Sequence, residues 1–328
     1  MQPNPKKLLD LAKKLHRPNV LVLGDLMLDE WIWGKVSRIS PEAPVPVVAV
    51  DRRTYTPGGA SNVAANLRSL GAKTWVVGIV GNDEAGRTLK GELKKRGANV
   101  DGIFSVTDRP TTLKTRIIAH NQQVVRADVE MRGTIDGKIS SKLFSAGTSL
   151  LAAADAILFS DYNKGLIASS FMPRLISEAI SKKKVMVAGA KPPNLEAFRG
   201  ATLIIMNQSE AEQILNRDLS SEKTLKSSGT ELLNRLGIHG LIITRGEHGM
   251  AIFEPYRAMV SIPAVTSEVY DVSGAGDTVI SVATLALAAG ANLLEAALLS
   301  NHAAGVVVKK VGTATVTQKE LEEILESH

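Results

Sequence analysis

The sequence predicts an α/β protein, a three-layer α/β/α sandwich on a mostly parallel sheet, with a small β-sheet lid. Short continuous apolar runs recur along the chain, amphipathic stretches of helical length separate them, and two proline-marked β-rich segments break the rhythm. Continuous apolar runs belong to strands covered on both faces, whereas half-exposed strands alternate. Strands alternating with helices imply crossover connections and a parallel sheet, with ligands beyond the carboxyl ends of the strands.

Strands are expected at Val20–Leu23, Trp75–Val80, Ile157–Phe159, Val185–Val187, Leu203–Met206 and Leu241–Thr244. Helices are expected at Ser61–Leu70, Glu84–Arg96, Met172–Ser181, Gln208–Leu215 and Val279–Ala289. Met1 to Arg17 interleaves Lys6, Lys7, Lys13 and Lys14 with Leu8, Leu9, Leu11 and Leu15. That is a surface amphipathic helix rather than the apolar core of a signal peptide, and a cytoplasmic location is the expectation. Thr278 to Val308 is apolar but Ala-rich and interrupted by Gly290-Ala291-Asn292 and Glu295, which fits two buried helices and a turn, not a membrane span. The lid is expected at about 31–53 and 111–130, the first marked by Pro41, Pro44 and Pro46 and the second by Thr115, Ile117, Val124 and Val125. Prolines confine strands to edges, which places these segments outside the main sheet. No Pro-, Gly- or Ser-rich linker and no repeat divides residues 1–328, so one domain with an inserted lid is expected.

Of the 328 residues 44% are hydrophobic and 22% charged, which excludes a disordered or fibrous chain. The net charge of +6 suits several anionic partners and selects none. Only 4% of residues are aromatic and the basic residues are dispersed, so nucleic acid is not an expected partner. The absence of cysteine excludes disulfides, thiolate metal sites and a cysteine nucleophile.

Three glycine-rich turns compete as ligand sites. Gly81-Asn82-Asp83-Glu84-Ala85-Gly86-Arg87-Thr88 approaches a phosphate loop, but Arg87 replaces the lysine, and Asp83 and Glu84 would repel a polyanion. A strand-to-helix turn with acids at the helix start is the better reading. Gly274-Ala275-Gly276 lacks the third glycine of a dinucleotide fingerprint, since Val279 stands there. It does precede a helix, where free amides and the dipole favour a transferring phosphoryl group, and Asp277 adds a carboxylate able to accept a hydroxyl proton. A plain glycine turn with an acidic first helical turn explains it as well. Pro57-Gly58-Gly59-Ala60-Ser61-Asn62 allows close ligand approach, with Asn62 as donor and acceptor for a polyol, or is a tight turn capped by Ser61.

Together these turns resemble the ribokinase-like (PfkB) carbohydrate kinase family. The match runs in order through Gly24-Asp25, Asp29, Gly58-Gly59-Ala60-Ser61-Asn62, Gly78-Ile79-Val80-Gly81-Asn82-Asp83 and Asp271-Val272-Ser273-Gly274-Ala275-Gly276-Asp277-Thr278. Within the family, Arg38-Ile39-Ser40-Pro41-Glu42-Ala43-Pro44, Lys114-Thr115-Arg116, Asn121-Gln122-Gln123, Arg126-Ala127-Asp128 and Ser160-Asp161-Tyr162-Asn163-Lys164-Gly165 look like the D-glycero-β-D-manno-heptose-7-phosphate kinases. The resemblance implies a ribokinase-like fold and phosphorylation of the anomeric hydroxyl in lipopolysaccharide heptose synthesis. In many bacteria this kinase is fused to a nucleotidyltransferase; with the chain ending at His328, a stand-alone kinase or the kinase half is expected.

Carried onto this sequence, the family pattern makes Asp277 the catalytic base and the amides of Gly274, Ala275 and Gly276 the anion hole. Asn207 and Glu210 match its N-x-x-E motif, which organises Mg2+ through water, although Asn followed three residues on by Glu is also a capping box. Thr244, Gly246 and Asn301 fall on the ATP side, and Asp271 on a monovalent-cation loop suited to K+. His248 reads equally as a loop histidine. Asp29, Gly58, Gly59 and Asn62 are the implied readers of sugar hydroxyls; Lys114, Arg116, Arg126 and Lys164 are candidates for the sugar phosphate, Arg126 and Lys164 first. A homodimer through the lid sheet is expected from strand edges carrying Trp31 and Trp33. Two departures stand out: Gly189-Ala190-Lys191 where the family reads Asp-Pro-Lys, and Asn163 where it has glycine. The competing readings are another sugar kinase of the family and a non-catalytic nucleotide or sugar sensor.

Overall fold

A computed structural model describes residues 4–120, 122–265 and 268–327; Met1, Asn121 and His328 lie outside the described residues. The described chain runs through helix α1 (Pro5–Ala12), strand β1 (Asn19–Gly24), lid strands β2 (Leu26–Ile39) and β3 (Pro46–Gly59), helix α2 (Ala60–Ser69), strand β4 (Lys73–Gly81), helix α3 (Glu84–Lys95) and strand β5 (Asn99–Val106). Lid strands β6 (Thr112–Ala119) and β7 (Gln122–Val129) follow. After them come α4 (Gly137–Ala153), β8 (Ala156–Ser160), α5 (Met172–Ser181), β9 (Val185–Gly189), β10 (Leu203–Asn207), α6 (Gln208–Leu215), α7 (Glu222–Leu236) and β11 (Leu241–Thr244). Strands β12 (Met250–Phe253) and β13 (Val260–Ile262) and helices α8 (Ala275–Ala288), α9 (Leu293–Val307) and α10 (Gln318–Glu326) complete it.

The main sheet has the order β13-β12-β11-β10-β9-β8-β1-β4-β5 and is parallel from β11 to β5, with antiparallel β12 and β13 at one edge. Alternation along β1 divides the core. Val20 and Val22 belong to the apolar layer that holds residues of α2, α8 and α9, whereas Leu21 and Leu23 belong to the layer that holds residues of α4, α5 and α7. Side chains of a strand alternate between faces, so two apolar layers form from one uninterrupted apolar run. The second sheet, β3-β2-β6-β7, is the lid; β2 pairs antiparallel with β3 and parallel with β6. Pro46 and Pro57 both sit on its edge strand β3, where a missing N–H breaks no ladder.

Each expected strand and helix is present, with shifts at the ends. The lid begins earlier than 31, at Leu26, and reaches Gly59, so Asp29 and the paired glycines belong to strands rather than to a turn. Helix α2 starts at Ala60 with Gly59 as its cap; Ser61 is buried inside the first turn and is not the N-cap. Helix α8 starts four residues before Val279, which moves Gly276 and Asp277 into its first turn. The amphipathic helix near the start spans only Pro5–Ala12. At α3, Asp83 caps the helix by accepting from the Gly86 amide at 2.8 Å and also takes the Thr111 amide at 2.8 Å, the acidic helix start expected there. No helix among the described residues is long and apolar enough to cross a membrane; α8 and α9 are separated at Gly290, whose φ is 91°.

Candidate active site

The carboxyl ends of the central strands face the start of α8. Gly274 precedes that helix at φ 82°, and a Cβ there would stand 2.9 Å from Nδ2 of Asn62, so left-handed backbone and close approach both demand glycine. The first four amides of a helix lack partners within it. The Ala275 amide donates to the Val272 carbonyl at 3.2 Å, which narrows the expected anion hole to Gly274, Gly276 and the amide of Asp277 itself. The space where a Gly276 side chain would lie is open.

Asp277 stands half-buried over this helix start. Its Oδ2 accepts from Asn62 Nδ2 at 2.8 Å and its Oδ1 from the Tyr162 hydroxyl at 2.7 Å. Asn62 is in turn fixed from behind: Asn66 donates to its carbonyl at 3.0 Å, and Thr278 donates to Asn66 at 2.9 Å, tying α2 to α8. Burial pushes the Asp277 carboxyl up to about 6; the two hydrogen bonds pull it down, the charge of Asp29 adds to the rise, and Lys191 opposes it. Such a group is ionised at neutral pH yet basic enough to accept a proton.

Two deeper carboxylates build the loop that carries Tyr162. Asp25 accepts from the amides of Tyr162 (2.8 Å) and Lys164 (3.1 Å); Asp161 accepts from the amides of Asn163 (2.8 Å) and Lys191 (3.0 Å) and from the Asn194 side chain. Burial raises both carboxyls above their ordinary range against these amides. Asn163 occupies the left-handed region at φ 55°, which accounts for glycine in the family pattern and for asparagine as its tolerated substitute.

Tyr162, Lys191, Asn207, Glu210, Thr244 and Asp277 line one cleft. Asn207 and Glu210 do form a capping box on α6, with bonds of 2.8 and 2.9 Å, and the second Glu210 oxygen pairs with Lys191 Nζ. At Gly189, a Cβ would come within 3.0 Å of Ile280, so the family's carboxylate there would require that side chain to give way. A second, apolar cleft adjoins the first and shares Thr244 and Gly276 with it; Gly246, Val279, Asn301 and Ala304 are among its walls. Asn301 is anchored there by donating to the Pro263 carbonyl at 2.7 Å, and His248 is exposed on a turn outside both clefts.

On the lid side, Asp29 is buried and pairs with Arg116 at 2.6 Å, whose guanidinium lies 4.9 Å from the Trp31 ring centre. Gly58 lies against Asp29, where a Cβ would meet the carboxylate at 2.5 Å, and Gly59 has φ 54°. All four candidate cations lie outside both clefts. Lys114 and Arg126 each pair with Asp128 at 2.9 Å, and Lys164 pairs with Glu130; Arg126 is half-exposed on β7. Asp271 accepts from the amides of Ser273 (2.8 Å) and Gly312 (2.9 Å); burial opposes ionisation there, but these bonds and Arg116 hold its carboxyl below the ordinary range.

Residues 17–320 match the model of the pfkB family carbohydrate kinases. The chain belongs to that family. Among curated proteins, the bifunctional protein HldE of Desulfatibacillum aliphaticivorans is 43% identical over 94% of this chain and 63% of its own length. That of Wolinella succinogenes is 42% identical over 95% of this chain and 65% of its own. The chain thus spans less than two thirds of these relatives. Among solved structures, Escherichia coli phosphofructokinase-2 with substrates and products has a TM-score of 0.78 at 17% identity, covering 94% of this chain and 99% of that one. Arabidopsis thaliana ribokinase with ribose and ATP has 0.73 at 16%, over 94% and 99%. Both likenesses support the ribokinase-like pfkB fold.

Sequence reasoning placed the pfkB glycines and Asp277 but passed over Tyr162, Lys191, Asp25 and Asp161 as actors. A lone tyrosine or lysine carries no spacing signal, and buried carboxylates that accept amides reveal themselves only through their partners.

Proposed function

We propose that the chain transfers the terminal phosphoryl group of ATP to the anomeric hydroxyl of D-glycero-β-D-manno-heptose 7-phosphate, giving the 1,7-bisphosphate for ADP-heptose and lipopolysaccharide core synthesis. The observation that carries this reading is Asp277 at the start of α8, where a polar cleft and an apolar cleft meet. Its relatives among the bifunctional HldE proteins favour the heptose over other sugars.

In this reading the nucleotide base lies in the apolar cleft beside Asn301, Thr244 and Gly246, and its phosphates run toward Gly276. Asp277 takes the proton of the sugar hydroxyl; the freed oxygen bonds to the γ-phosphorus while the bond to the ADP bridging oxygen breaks. The amides of Gly276 and Asp277, with the helix dipole, receive the negative charge on the transferring group. Asp29, Gly58 and Asn62 face the sugar, with Gly59 shaping the strand end beside them; Lys114, Arg116, Arg126 and Lys164, paired with Asp128, Asp29 and Glu130 in this structure, are the candidates to exchange those partners for its phosphate.

Mg2+ keeps most of its waters and needs only one or two carboxylates beside substrate phosphates. No group of three metal-ligating side chains occurs among the described residues, and Glu210 already accepts from Asn207 and Lys191, a donor set that fits a water-mediated ion. Glu210 and Asn207 would hold it there, and it would neutralise phosphate charge. Asp271 is assigned to a K+ loop, in keeping with the potassium complex solved for E. coli phosphofructokinase-2.

One domain over 1–328, a cytoplasmic location and a dimer through the lids belong to the same proposal. Trp31 and Trp33, expected at a strand edge, lie instead on β2, an inner strand of the lid, with Trp31 buried; the apolar edge surface open to a second copy is that of β7, where every residue is exposed and Val124, Val125 and Val129 face outward.

The test is ATP consumption with heptose 7-phosphate against fructose, ribose and fructose 6-phosphate. Selective turnover of the heptose supports the reading, and selectivity for another sugar overturns the substrate. Ligand-dependent melting without turnover of any sugar supports the sensor reading that Gly189 permits.

A further inference from the structure

We infer that Tyr162 is a positioning residue for phosphoryl transfer, its phenol holding the Asp277 carboxylate in the orientation from which it takes the hydroxyl proton. This rests on the reading of Asp277 as the base.

The geometry separates two roles around one carboxylate. Each ionised oxygen offers two lone pairs. Tyr162 occupies one on Oδ1 and Asn62 one on Oδ2, at 2.7 and 2.8 Å, which fixes the carboxylate plane and leaves one lone pair on each oxygen. The phenol is itself immobile. Its backbone amide is bound by Asp25, and the next residue's amide by Asp161. The loop turns at left-handed Asn163, and at Gly165 a Cβ would collide with the Gly133 carbonyl at 1.8 Å. Lys191 Nζ lies 5.4 Å from the ring centre while paired with Glu210, and a cation over the ring strengthens the hydroxyl as a donor.

Burial and the adjacent Asp277 charge keep the phenol protonated well above its ordinary range, so Tyr162 donates at every working pH. The charged groups facing Asp277 are Asp29 of β2, neutralised by Arg116 of β6, and Lys191 after β9, paired with Glu210 of α6; Asn62 of α2 and Tyr162 are neutral. Removing the phenol therefore leaves burial less opposed, and the carboxylate becomes harder to ionise.

The experiment is the pH profile of kcat for Tyr162→Phe, with Asp277→Asn beside it. A hydrogen bond to an ionised group carries enough energy to move the acid limb by about one to two pH units toward alkaline pH. Turnover of Tyr162→Phe should then fall by about three- to 25-fold near pH 6.5, recover to within a few-fold of the parent near pH 9, and leave the KM for ATP unchanged. A loss equal at all pH values, or an unmoved acid limb, overturns the inference. If Asp277→Asn keeps near-normal turnover, it is the base assignment that fails, a distinguishable result. Should Tyr162→Phe not fold, 3-fluorotyrosine placed at 162 by codon suppression gives a stronger donor; the acid limb must then move toward lower pH, and its standing still overturns the inference.

Discussion

Replacing Asp277 with asparagine should abolish most activity and at the same time make the protein more stable. The carboxyl is held at about 6 in the folded chain against 3.8 when unperturbed, so the folded state binds its proton more tightly than the unfolded state. For a raised carboxyl the cost of ionisation is absent below about pH 4, grows as pH rises through 6 and is complete above it. About two pH units at about 1.4 kcal/mol each amount to about 3 kcal/mol. Asparagine removes that cost but accepts only one of the two donors well. Its Oδ1 can serve Asn62, while Tyr162 must reverse and accept from the new amide, so a net gain of about 1–2 kcal/mol is expected. At about 2 °C per kcal/mol the melting temperature should rise by about 2–4 °C at pH 8. The assay is thermal unfolding of parent and variant from pH 8 to pH 4.5, paired with turnover, which should fall by about 10²–10⁴. The gain should shrink as pH falls through 6. A variant less stable than its parent at pH 8, or a difference independent of pH, would refute the assignment of a buried, desolvated carboxylate at 277.

Arg116→Met leaves Asp29 buried without its 2.6 Å partner, and should destabilise the chain by about 3–5 kcal/mol and raise the sugar KM; Asp29→Asn in the same chain should restore part of the stability, as a double-mutant cycle measures. Ala304→Phe places a ring in the apolar cleft and should raise the KM for ATP at least tenfold with little change for the sugar, read from initial-rate kinetics. Phe159, fully buried and 5.4 Å from Phe198, should cost about 3–5 kcal/mol when truncated to alanine, by urea unfolding, without moving the acid limb of the pH profile.

The legibility of this chain follows its burial. Strands such as Val20–Leu23 and Leu203–Met206 read clearly because both faces are covered and every residue must be apolar. Strand β5 mixes Asn99, Asp101 and Ser105 among its apolar residues and lies at the sheet edge, while α4 and α7 carry Ser and Gly through their lengths, so no clear period marks them. The lid was recognisable from its prolines, but its true ends at Leu26 and Gly59 were not, because the apolar run there serves the core and the lid alike. In the site, glycines at strained positions and the acid after them stood out, whereas Tyr162 and Lys191 matter through partners 115 and 19 residues away.

The attachment of the lid has a mechanical consequence. Only Asp25 separates β1 from β2, and β3 passes without a spare residue into α2, the two joints being tied by the Ala60 amide donating to the Asp25 carbonyl at 3.0 Å. A tilt of β2 and β3 at these two joints would pass directly to the start of α2, two residues before the Asn62 that grips Asp277. In the proposed kinase, covering the sugar and gripping the Asp277 carboxylate would then be mechanically linked through the start of α2.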